Sequence, residues 1–225
     1  MRNQFSETLY ELAKEDHRIH IVVADISPAG PMLKFQNDFP DRFINVGVAE
    51  QSMIGISAGL ALRGALPFTY TIATFALYRP LEFIRDDLAY QNLPVTIVGI
   101  GGGVIYSTLG ATHYAQEDIS IASAIPGLNV IAPSSPIEVA EILHSIINGE
   151  VKGPSYLRLG KTGESNFESQ QSFNFGKLKI VREVKANSCI ISYGVIANKL
   201  EVKLKLNKKT LNEVDYVTVP TLKPL

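Results

Sequence analysis

The sequence predicts a doubly wound parallel α/β sheet followed by a truncated second α/β unit. Two short runs without polar alternation, Ile19–Ala24 (IHIVVA) and Val95–Ile100, mark strands covered on both faces. Between such runs lie segments whose apolar residues recur at helical spacing, the alternation of a βα fold. Apolar residues make up 46% of the 225 and charged residues 19%, which fills a core and excludes a disordered chain.

Phe5, Leu9, Leu12 and Ala13 predict an amphipathic helix over Arg2–Asp16. Ile19–Ala24 is a strand that runs into the loop Asp25–Pro31, and Phe43–Val48 (FINVGV) is a second. Glu50–Leu62 follows as a small-residue helix, with Gly55 and Gly59 one turn apart on a face suited to close helix packing. Leu66–Thr71 is a strand, Leu81–Tyr90 a helix, and Val95–Ile100 a strand ending in Gly101-Gly102-Gly103. Ile119–Ala124 is a helix stopped by Pro126-Gly127, and Val130–Ala132 a strand. Ser135 caps and Pro136 opens the next helix, and Ser155–Leu159 closes the set. The domain expected over residues 1–161 is joined by a polar, turn-rich linker (162–176) to a partial unit over 177–225. That unit holds strands at Lys177–Val184, Ser188–Tyr193 and Tyr216–Val219 and a helix near Asn198–Leu206.

Composition excludes several functions. Lys+Arg 21 against Asp+Glu 22 leaves a net charge of -1, with no basic excess for a nucleic-acid backbone. The one cysteine, Cys189, cannot form an internal disulfide or a cysteine metal cluster, and a cytoplasmic location is expected. The charge-poor stretch Leu88–Gln116 carries Gln91, Asn92, Pro94 and three consecutive glycines, wrong for a membrane span. Gly55-Ile-Ser57-Ala-Gly59 matches the hydrolase pattern G-x-S-x-G, but Ser57 falls inside a helix rather than on the required strand-to-helix turn. Gly99-Ile-Gly101-Gly102-Gly103-Val104 lacks the last glycine of a dinucleotide loop.

Three features fall at the carboxyl edge of one sheet, where α/β proteins bind ligands. Asn45-Val-Gly-Val-Ala-Glu50-Gln51 places a carboxylate at a strand-to-helix junction. Ala73-Thr-Phe75-Ala-Leu-Tyr78-Arg-Pro-Leu81 offers two aromatics three apart, either core residues or a platform for a flat heterocycle. Gly110-Ala-Thr-His113 follows the glycine-rich loop. In this order, with Ala132-Pro-Ser-Ser135 and Pro154-Ser-Tyr-Leu-Arg158, they resemble the pyrimidine-binding domain of transketolases, over about residues 1–161. Deoxyxylulose-phosphate synthase and pyruvate dehydrogenase E1 β-subunits are relatives of that family.

The resemblance implies thiamine diphosphate chemistry. It puts the family's essential glutamate on Glu50, hydrogen-bonded to N1′ of the cofactor's aminopyrimidine. Apolar surroundings there are expected to favour the neutral carboxyl. It puts the ring-stacking aromatics on Phe75 and Tyr78, with Leu81 where a third aromatic stands, and an acidic residue near cofactor and dimer interface on Asp25. His113 matches a substrate-facing histidine that shares in catalysis, and Arg158 an arginine that grips a sugar phosphate. Three positions depart from the pattern: Leu109 for an aspartate, Gly101 for a histidine and Ala29 for a serine. The family holds the diphosphate and Mg²⁺ with a G-D-G motif, and this chain contains no Gly-Asp-Gly. A split enzyme is therefore expected, its N-terminal subunit carrying that motif, with homodimerisation and a heterotetramer as its assembly. A deoxyxylulose-phosphate-synthase-like or E1 β-like activity, a non-catalytic dimerisation or regulatory module, and a small ligand-binding protein using the Gly99–Gly103 loop stay open as alternatives.

Overall fold

A computed structural model describes residues 1–26, 30–161, 163–166, 171–207 and 213–225. Ala29 lies outside the described residues, as does part of the expected linker. In chain order the elements are α1 (Arg2–Glu15), β1 (Ile19–Val23), α2 (Pro31–Asp38), β2 (Phe43–Asn45), α3 (Glu50–Leu62), β3 (Leu66–Ile72) and α4 (Ala73–Leu77). Next come α5 (Leu81–Phe83), a π-helical turn Ile84–Ala89, β4 (Thr96–Ile100), α6 (Asp118–Ala124), β5 (Asn129–Ile131), α7 (Pro136–Ile147) and β6 (Ser155–Leu159). The chain ends with β7 (Lys179–Arg182), β8 (Cys189–Ser192), α8 (Gly194–Leu206), β9 (Asp215–Thr218) and β10 (Thr221–Lys223).

Seven strands form one sheet in the order β10-β5-β6-β4-β3-β1-β2, parallel except for β10. Successive side chains of a strand point to opposite faces. Ile21 and Val23 therefore pack with Phe5, Leu9 and Phe35 on the α1 side, while Val22 packs with Met53, Ile54 and Leu77 on the α3 side. From β1 the chain moves to one side for β2 and to the other for β3, so the connection reverses there. That is the topological switch at which a ligand crevice opens.

Several local features depart from the expectation. Asn45 ends β2 early: its Oδ1 accepts from the backbone of Asp25 at 3.1 Å and of Gly47 at 3.0 Å, and Gly47 turns with φ of 72°. Helix α2, opened by Pro31, lies outside the expected elements and buries Met32 and Phe35 three residues apart. Among the described residues nothing lies within 4 Å of where a Cβ on Gly55 or Gly59 would stand, so the close packing expected of that face is not used among them. The hydroxyl of Ser57 is buried and donates to the Met53 carbonyl at 2.8 Å, an intrahelical bond that rules out a nucleophile. Strand β10 returns from the chain's end to pair antiparallel with β5, while β7, β9 and β8 form a separate sheet. Buried Lys179 joins the two regions by pairing with Glu138 at 3.2 Å. No helix of the described residues is long and apolar enough to cross a membrane.

Candidate active site

Glu50 opens α3 just beyond the carboxyl end of β2, where the helix dipole suits a carboxylate. Its side chain is only 4% exposed, and Oε1 accepts from Nη1 of Arg79 at 2.7 Å. The wholly apolar surroundings expected for Glu50 are thus corrected: a guanidinium faces it. Arg79 comes from the turn that continues α4. Phe75 and Arg79 stand four residues apart there and share a face, which sets the guanidinium carbon 4.1 Å over the Phe75 ring.

Across that ring stands His113, its imidazole edge-on to Phe75 at 5.2 Å between centroids. Thr112 Oγ1 lies 3.0 Å from His113 Nδ1. The loop bearing His113 is closed at its base by paired backbone bonds between Gly103 and Ala115, both 2.8 Å. Inside it Tyr106 folds back to meet His113 edge-on at 6.3 Å. The Tyr106 ring takes the space that any side chain at Gly101 would need, and Gly101 also has φ of 74°. Lys161, just past the carboxyl end of β6, holds its exposed ammonium 4.8 Å from the Tyr106 ring centroid. Glu50, Arg79, Phe75, His113, Tyr106 and Lys161 therefore form a continuous row across the carboxyl ends of β2, β3, β4 and β6.

Beneath the row lies a buried polar cluster. Asp118 is fully buried at the start of α6, and its Oδ2 accepts from Arg158 Nε at 2.7 Å and from the Tyr156 hydroxyl at 2.9 Å. Arg158 threads past Gly102 and Gly103, where a Cβ on Gly102 would strike its guanidinium. Its Nε is committed to Asp118, and only Nη1 and Nη2 have no hydrogen-bond partner among the described residues. The Tyr78 hydroxyl donates to Glu117 at 3.1 Å, and burial, then that bond, pushes its pKa well up. Tyr78 is therefore a neutral phenol turned toward the α6 entrance. Leu81 packs half-buried beside it in the α3-side core. Asp25 is exposed at the end of β1 in a left-handed backbone conformation (φ 47°), held through its backbone to Asn45 and outside the row. Leu109 is 54% exposed on the His113 loop. Among the described residues no group of three or more His, Cys, Asp or Glu could hold a metal ion.

Residues 1–163 match the transketolase, pyrimidine binding domain family. The chain belongs to the transketolase family. A putative transketolase C-terminal section of Methanocaldococcus jannaschii is 35% identical over 228 residues, covering 100% of this chain and 71% of that protein. One subunit of an apulose-4-phosphate transketolase, from Phocaeicola vulgatus, is 30% identical, covering 100% of this chain and 72% of its own. Among solved structures, a split gene transketolase described as an inactive beta4 tetramer superposes with a TM-score of 0.85 at 31% identity. It is matched over 99% of this chain and 72% of its own. The transketolase of Campylobacter jejuni, at 20% identity and TM-score 0.82, shows the shared fold.

Within this transketolase-type subunit the structure brings Glu50, Phe75 and His113 together and leaves Asp25 out of their contacts. Sequence reasoning does not single out Arg79, Tyr106, Lys161 or Asp118. Arg79 is legible as the i+4 neighbour of Phe75, and Lys161 by the same strand-end rule that marks His113. Tyr106 reaches the row where Gly101 leaves room for its ring, which no local spacing signals.

Proposed function

We propose that this chain is the C-terminal subunit of a two-chain transketolase, transferring two-carbon ketol units between sugar-phosphate-like substrates with thiamine diphosphate. The observation that carries the proposal is the row from a buried carboxylate, past an aromatic face and a histidine, to an exposed cation. The pyrimidine end of the cofactor suits it: Glu50 offers a carboxyl to a ring nitrogen, and Phe75 a face for stacking. Tyr78 and Leu81, which pack on the α3-side core, are assigned to the wall of that pocket by the resemblance alone. The sequence contains no Gly-Asp-Gly, and a partner bearing that motif is assigned the diphosphate and Mg²⁺. When bound, thiamine diphosphate supplies the electron sink for carbon–carbon cleavage. Glu50 would hold or release a proton at a ring nitrogen docked on its carboxyl. His113, half-exposed, is placed to exchange a proton with a substrate oxygen. Lys161 meets an anionic tail as it enters, and the free Nη groups of Arg158 reinforce that charge from below. Leu109 and Gly101 offer no side-chain hydrogen bond, so this chain reads sugar hydroxyls weakly.

Calorimetry tests the half-site. The purified chain is expected to show no micromolar binding of thiamine diphosphate with Mg²⁺, and mixing with the partner subunit is expected to create it. Micromolar binding by the chain alone would sink the two-chain proposal. Tight assembly that binds no cofactor would favour the non-catalytic module.

Self-association belongs to the same proposal. Val48, Ile56, Leu62, Phe83 and Tyr90 are exposed on or beside α3, α5 and the π-helical turn, apolar surface suited to association. The proposed partner of that surface is a second copy, building a homodimer at the centre of a heterotetramer. Sedimentation of the chain alone should show a dimer or larger. Ile56→Asp with Leu62→Asp should weaken it at least about tenfold, since each substitution buries an unpaired charge in the contact. A wild-type monomer at all concentrations would refute it.

A further inference from the structure

Arg79 has no task in the function proposed above, yet it holds that function's two key surfaces. Its Nη1 donates to Glu50 Oε1 at 2.7 Å while its guanidinium carbon lies 4.1 Å over the Phe75 ring. A planar group with N–H donors thus bonds the buried carboxyl and covers the aromatic face at once. A flat aminopyrimidine docked on Glu50 and Phe75 makes the same pair of contacts. At 4.1 Å the guanidinium already sits at stacking distance, so no second flat group fits between it and the ring.

The geometry points to Arg79 as a built-in placeholder: it fills the pyrimidine's seat and swings out when the ring docks. This rests on the function proposed above. Two observations make the exchange workable. Glu50 is 4% exposed, so without a partner its buried charge would destabilise the fold, and Arg79 supplies that partner. Arg79 itself is 45% exposed, so its departure into solvent costs little. The incoming ring then takes over the carboxyl that the guanidinium releases. The consequence is competition. Apparent cofactor affinity is reduced by the fraction of subunits in which Arg79 is seated.

Arg79→Met separates the placeholder from a fixed structural pair. In the chain alone, the substitution should lower Tm by roughly 5 °C, because Glu50 loses its partner. In a Glu50→Gln background the same change should cost only about 1–2 °C, since no buried charge is left behind. In the complex reconstituted with the partner subunit, calorimetry with thiamine diphosphate and Mg²⁺ should show Kd tightened about threefold to fivefold. Arg79→Gln, which keeps an amide donor without the charge, should give the same direction with a smaller loss of packing. Weaker binding in both variants would overturn the proposal by showing that Arg79 stays and helps hold the ring. Unchanged binding in both would show that it never competes. If the wild-type complex binds no thiamine diphosphate, the proposed function falls and the placeholder with it. Wild-type binding that Arg79→Met fails to tighten removes the placeholder alone.

Discussion

Glu50→Gln in the reconstituted enzyme is expected to lower turnover by about 10²- to 10⁴-fold, the usual worth of a positioned acid–base group. The amide keeps the shape of the side chain and still accepts from Arg79, but it cannot give or take the proton at the ring nitrogen. Arg79 is half solvated and loses little when its partner becomes neutral. The fold should therefore survive, with Tm within about 3 °C of wild type. Kinetics on the complex together with a thermal melt of the variant checks both halves. Turnover within a few-fold of wild type from a folded Glu50→Gln complex would remove Glu50 from the chemistry. Loss of turnover with collapse of the fold would assign Glu50 a structural role instead.

How much of this is legible in the sequence depends on whether a signal is local. The expected bounds of β6 and α3 match the structure to the residue, because Pro154 and Gly160 bracket the strand and the small-residue helix stops at the Arg63-Gly64 turn. β2 is shorter than expected: the side chain of Asn45 turns the backbone, and alternation alone does not report that. β10 escapes a sequence reading because three residues pair only through a distant strand. In the site, Glu50, Phe75 and His113 are legible because each follows a strand and falls on the expected edge. Asp118 is invisible. Its role arises where α6 meets Tyr156 and Arg158 from a strand some 40 residues on, a contact between elements rather than a motif. Arg79 is legible only as the i+4 neighbour of Phe75. Its neighbour Tyr78 looks like the functional residue of the turn, and only the fold shows which of the two faces Glu50.

The charge cluster beneath the row gives the second large effect, one of stability. Arg158→Ala would leave Asp118 fully buried with the Tyr156 hydroxyl and the Ile119 backbone N–H as its donors and no countercharge. Removing one partner of a buried pair costs about 3–5 kcal/mol. For a chain of this size that lowers Tm by roughly 10 °C. The loop bearing His113 should loosen as well, because Asp118 anchors its far end and Arg158 packs against Gly102 and Gly103 at its near end. Arg158→Met combined with Asp118→Asn should recover much of the loss, since it removes both charges instead of stranding one. Lys161→Ala is the contrasting case. Its ammonium is exposed and lies against the Tyr106 ring, so Tm should stay within about 1 °C of wild type. KM for a phosphorylated donor should instead rise about fivefold to tenfold with kcat nearly unchanged, the signature of lost uniform binding. Melting curves on the chain and steady-state kinetics on the complex separate the two cations. If Arg158→Ala melts like wild type and raises only KM, the free Nη groups of Arg158 carry the anion contact. If Lys161→Ala leaves KM unmoved, the tail does not pass over Tyr106.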